Sequence, residues 1–99
     1  MSLQDDIAQR LRDEFPGHDL NKMSDRLSSA SSTPRLQRCI VFASRGNSDY
    51  FNYLCDLAKI DYRDVIMAGE YDRFDTQLYD FNLPFDQATI PAPYGARTI

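Results

Sequence analysis

The single histidine, His18, lies in the run Pro16-Gly17-His18-Asp19, far along the chain from the two cysteines, Cys39 and Cys55. A thiol nucleophile needs a basic partner, and a transition-metal site draws on several soft or imidazole ligands. Neither is supplied locally. His18 therefore reads as a surface turn residue, and the two thiols, set among apolar neighbours, read as small buried hydrophobes rather than a disulfide framework.

The carboxylates Asp61, Asp64, Glu70, Asp72, Asp75 and Asp80 are dense enough to raise the question of hard-metal coordination through oxygen. An EF-hand loop requires acids at alternating positions, a central Gly and a terminal Glu. Asp61-Tyr62-Arg63-Asp64 has helical spacing instead, so the favoured reading is a capped, solvated helix start. The turn Ser44-Arg45-Gly46-Asn47-Ser48 could cradle a phosphate if a strand preceded it, but one Gly without the Walker lysine or a dinucleotide fingerprint makes a weak anion site. No catalytic, cofactor-binding or metal-binding residue is expected, and the chain is read as a non-enzyme.

The most informative pattern combines two compositions. The first 45 residues hold six acids and seven bases, whereas the rest hold nine acids and four bases, and the whole chain carries a net charge of −4. Ten of the twelve aromatics fall in that same acidic half: Tyr50, Phe51, Tyr53, Tyr62, Tyr71, Phe74, Tyr79, Phe81, Phe85 and Tyr94. A small domain has little room to bury all ten. Rings left outside form an aromatic surface among carboxylates, suited to a basic protein, with charge steering the encounter and the rings supplying contact area. The alternative is that the rings pack a tail onto the bundle and the acids keep it soluble.

The elements that position these residues follow from periodicity. With 99 residues, 23 of them Leu, Ile, Val or Phe, one folded domain is expected. Leu3, Ile7, Leu11 and Phe15 form a helical stripe, with Ser2 and Asp5 as a cap pattern and Pro16-Gly17 as the stop. Leu20, Met23, Leu27 and Ala30 form a weaker one, followed by a serine-rich loop over 28–32. Thr33-Pro34 opens a third helix through Leu36, Cys39, Ile40 and Ala43, with Gly46 as its left-handed end. A strand over 39–43 is the rival, and would make the domain α+β. Asn47 or Ser48 caps a helix with Phe51, Leu54, Leu57 and Ala58 inward, and Asp61 caps the next, in which Gly69 permits close approach. Tyr79, Phe81, Leu83 and Phe85 alternate with Asp80, Asn82 and Pro84, which implies an extended tail, mobile from about Ala88.

The expected fold is thus mainly α: a small single-domain helical bundle of about five short helices with an extended aromatic, Pro-containing C-terminal tail. Residues 1–30 form an N-terminal helical pair, 34–70 a three-helix core and 71–99 the tail. The expected function is a non-enzymatic binding module, of the inhibitor, antitoxin or immunity-protein kind. Its basic partner would be met through Asp49, Asp56, Asp72, Asp75, Asp80, Tyr71 and Tyr79. Two alternatives are a small enzyme or anion-binding domain using the 44–48 turn or the 61–75 acids, and a homo-oligomer docked through 79–85. An acidic chain argues against binding a nucleic-acid backbone. A charged start without an apolar run points to the cytoplasm and away from membranes.

Overall fold

A computed structural model describes residues 3–90. It contains five helices, α1 (Asp5–Glu14), α2 (Leu20–Ala30), α3 (Pro34–Ser44), α4 (Ser48–Ile60) and α5 (Tyr62–Glu70), followed by a segment without regular strands that ends in a short 3-10 turn, Phe85–Gln87. The mainly α expectation holds, and residues 39–43 are helix, as the Thr33-Pro34 start implies.

Three of the five helices begin at a side chain that accepts from one of their first free N–H groups. Asp19 accepts from the Lys22 amide, Asn47 from Tyr50 and Asp61 from Arg63. Thr33 holds the extended backbone before Pro34 without a side-chain bond. At α1 the N-cap is Gln4; the expected cap, Ser2, lies outside the described residues. Two boundaries differ from the sequence reading. The second helix runs through Ser28 and Ser29 to Ala30, because Leu27 and Ala30 are buried and that packing outweighs the poor helix propensity of serine. After α3, Arg45 takes the left-handed cap (φ 48°) and Gly46 follows at φ 77°. Glycine is required there for a second reason: a Cβ would meet the Glu14 carbonyl oxygen at 2.8 Å.

Helix α3 is the centre of the bundle and packs on all four other helices. Seven of its residues are buried, including Gln37 and Arg38. Around it lie Ile7, Leu11 and Phe15, then Leu27, Phe51, Leu54 and Val65, with Phe81 and Ala88 from the C-terminal segment closing the core. Burying each large side chain contributes roughly 1.5–3 kcal/mol. Helices α3 and α5 pack tightly where they cross at Gly69: a Cβ there would lie 2.7 Å from Cys39 Cα. The expected use of Gly69 is therefore the one found.

The segment after α5 is more structured than an extended tail. Tyr71 bridges to Gln77 and Tyr79 to Thr89, both antiparallel. A turn in which Asp80 accepts from Leu83 and Asn82 interrupts the alternation, so Leu83 is exposed while Phe81 is buried and Tyr79 and Phe85 are half-buried. Ala88 is buried, and Ile90 donates to Leu78, which corrects the expected mobility for residues 88–90. Residues 91–99, with Tyr94, lie outside the described residues.

Two charge clusters fasten this segment. Glu70, fully buried, accepts from Arg35 through both oxygens (2.9 and 2.7 Å), from the Phe81 amide (2.9 Å) and from Gln77 (3.2 Å). Arg38, also buried, forms a two-bond pair with Asp6 (2.8 and 3.1 Å) and donates to the Phe81 carbonyl (3.0 Å). Asp6 also accepts from the Phe85 amide. The Phe81 peptide is held at both ends, and its ring seals the core. The acids of the later half are thus not all solvated: Glu70 is part of the framework, because a buried carboxylate is tolerated when every lone pair finds a donor.

Candidate functional site

Helices α4 and α5 are joined by one residue, Asp61, and fold back along each other. The inner faces carry Phe51, Leu54, Cys55 and Val65 into the core. The outer faces bear Tyr50 and Tyr53 on α4, and Asp64, Met67 and Ala68 on α5, continuing to Tyr71. Between them runs a shallow groove of about 440 Å³ with Leu54 and Leu57 in its floor and Asp72 and Arg73 at one end. Tyr50 and Tyr53 are stacked, centroids 5.7 Å apart and rings 13° from parallel, and are 40% and 55% exposed. Met67 is 40% exposed. The face thus leaves large aromatic and apolar side chains exposed beside carboxylates.

A tight turn over 72–76 borders the groove. Its Asp72 carboxylate accepts from the Phe74 and Thr76 amides at 2.8 and 3.0 Å. The backbone adds Asp72 N–H to the Thr76 carbonyl and Asp75 N–H to the Asp72 carbonyl, both 3.0 Å, with Asp75 at φ 61°. Asp tolerates that left-handed conformation better than most residues. The turn holds Phe74 outward, 72% exposed, with the Arg73 guanidinium 5.0 Å from its ring centre.

Of the contacts expected from sequence, Tyr71 and Asp72 line the groove, Asp75 sits on the adjoining turn and Asp49 is exposed immediately before Tyr50. The other three are elsewhere. Asp56 pairs with Arg26 of α2 at 2.7 Å, and that hydrogen bond holds its carboxyl below the usual range. Asp80 accepts from Asn82 inside its own turn. Tyr79 stacks on Phe81 (5.3 Å, 4°) and leans on Phe42 (4.7 Å). The groove also brings together Tyr50, Tyr53, Asp64 and Met67, with Phe74 on the adjoining turn, none of which is among the contacts expected from sequence. The available signal was the matched spacing 50, 53, 54, 57 and 64, 67, 68, 71 on consecutive helices.

The same geometry weighs on the alternatives. Tyr79, Phe81 and Phe85 pack within the chain, so the rings that motivated self-docking through 79–85 are committed to its own core. Within the 44–48 turn, Ser44 is buried with its hydroxyl donating to the Ile40 carbonyl, which takes it away from any anion. Ser48 instead lines a separate pocket of about 280 Å³ with His18, Asp19, Lys22 and Arg26, the last already paired with Asp56. The acids over 61–75 are divided among a helix cap, the buried Glu70 cluster and the Asp72 turn, and among the described residues no three His, Cys, Asp or Glu side chains are placed to hold a metal ion.

Burial pushes the Cys39 thiol up to about 12, with the Glu70 charge adding to the rise and Arg35 opposing it. Burial likewise takes Cys55 to about 11. Both are held neutral, and His18 is exposed with its ring edge-on to Phe15 at 5.5 Å. Among the described residues no helix is long and apolar enough to cross a membrane. Comparison of the chain with protein-family models, with curated proteins and with solved structures found no match.

Proposed function

We propose that this domain is a non-enzymatic binding module that engages a basic macromolecular partner through the α4/α5 face, in the manner of a small inhibitor, antitoxin or immunity protein. The observation that carries this reading is the stacked, exposed Tyr50–Tyr53 pair facing Met67 across a groove edged by Asp64 and Asp72. Tyrosine supplies large contact area with few torsions to freeze, and the carboxylates raise the encounter rate with a positively charged surface. Phe74, fixed on its turn, adds a ring positioned to enter a partner's pocket.

The test is capture with the intact chain. The same protein should be recovered from the native host by the wild type and lost with Tyr53→Ala and Asp64→Asn, and its purified complex should weaken as salt rises. Recovery indifferent to both substitutions and to salt overturns the reading.

A further inference from the structure

The groove also bears on what kind of segment the partner presents. We infer that its occupant is an amphipathic α-helix carrying Lys or Arg along its flanks, an inference that rests on the docking reading above.

Three observations lead there. First, both long walls are helices whose backbone groups are bonded within α4 and α5, so they offer no open strand edge for an extended peptide to extend. The exposed residues recur every three or four positions on each wall, which makes ridges of the kind a third helix fits between. Second, the opposite side of this same helix pair is already covered by a helix, α3, which packs on both α4 and α5. The pair accepts a helix on one side and, among the described residues, leaves the other side uncovered. Third, α5 has nine residues, about 14 Å at the ordinary rise per residue, which matches two to three helical turns of an occupant.

Charge selects among helices. Among the groove's lining residues Asp64 and Asp72 outnumber Arg73, and of the flanking residues Asp75 and Arg63 offset each other, so the rim is net negative by one charge. A second copy of this chain, with the same rim and a net charge of −4, meets like charge there. A helix with basic flanks meets opposite charge, while its apolar stripe covers Tyr53 and Met67.

The experiment is a selection of linear display peptides of roughly 16 residues, long enough to hold a helix, against the intact chain, with counter-selection on Tyr53→Ala and Met67→Ala. The expected binders carry apolar residues at three- and four-residue spacing with flanking Lys or Arg. They gain helical circular dichroism on binding and lose more than about tenfold in affinity when a proline is placed mid-peptide. Groove-dependent binders that are extended or Pro-rich overturn the helix and leave the docking reading standing. Enrichment of acidic peptides, or of none that depends on Tyr53 or Met67, overturns both.

Discussion

Two regions of the later half use the same residue types to opposite ends. At the Phe81 clamp, Glu70 and Arg38 are buried, every side-chain donor and acceptor is matched, and the neighbouring rings of Tyr79, Phe81 and Phe85 pack on one another and on Phe42. At the α4/α5 groove, Asp64 is exposed, no partner of its carboxylate is found among the described residues, and the rings of Tyr50 and Tyr53 face water. Acid and aromatic content is therefore no guide to role. The discriminating quantity is whether the fold brings a matching donor to the carboxylate, since a buried charge without one is too costly to persist.

The sharpest way to break this contrast is at Glu70. Glu70→Ala strands Arg35 and the Phe81 amide and should cost about 3–5 kcal/mol in urea unfolding, enough to unfold a marginal domain. Glu70→Gln, which keeps an acceptor for the amide, should cost less. A loss below what an exposed carboxylate gives would remove the distinction between the two regions. Gly69→Ala comes next, because a Cβ against the Cys39 backbone forces α3 and α5 apart; about 1–3 kcal/mol is expected.

Acid titration gives a smaller effect of defined sign. Burial alone raises the Asp6 carboxyl, but the Arg38 pair and the Phe85 amide outweigh it and hold it below the ordinary value. A carboxylate depressed in the folded state contributes fully above its unfolded value, about 4, and that contribution is lost as pH falls through the folded value. Stability should thus decline below about pH 4, and Asp6→Asn should flatten that decline; Asp56, paired with Arg26, acts in the same window. An Asp6→Asn profile superimposable on the wild type would show that the clamp carboxylate is not linked to folding. The thiols provide a check on the core: neither Cys39 nor Cys55 should react with a thiol reagent at mildly alkaline pH until the chain is denatured.

The smallest stability effects belong to the groove. Tyr53→Ala and Phe74→Ala remove exposed rings and should change unfolding free energy by no more than about 0.5 kcal/mol, while reducing partner capture more than about tenfold. A large loss of stability at either position would place that ring with the clamp instead.

Much of the fold was legible because it depends on neighbours in the chain. Thr33-Pro34, Asn47 and Asp61 mark helix starts through bonds within a few residues, the apolar stripes repeat at helical spacing, and the absence of a Cβ at Gly69 signals close approach wherever its neighbour comes from. The candidate surface was legible only in part. Its half of the chain, its acids and its aromatics could be named, and of the residues expected on one surface Tyr71 and Asp72 line the groove with Asp75 beside it, whereas Asp56, Asp80 and Tyr79 lie outside it. By itself, then, the sequence determined five helices, a single apolar core and an excess of rings and carboxylates after residue 45. Which of those were spent inside was decided by contacts across long separations, Arg35 to Glu70, Arg38 to Phe81 and Asp6 to Phe85, because pairing of a buried charge depends on where the folded chain brings its partner and not on the residues beside it.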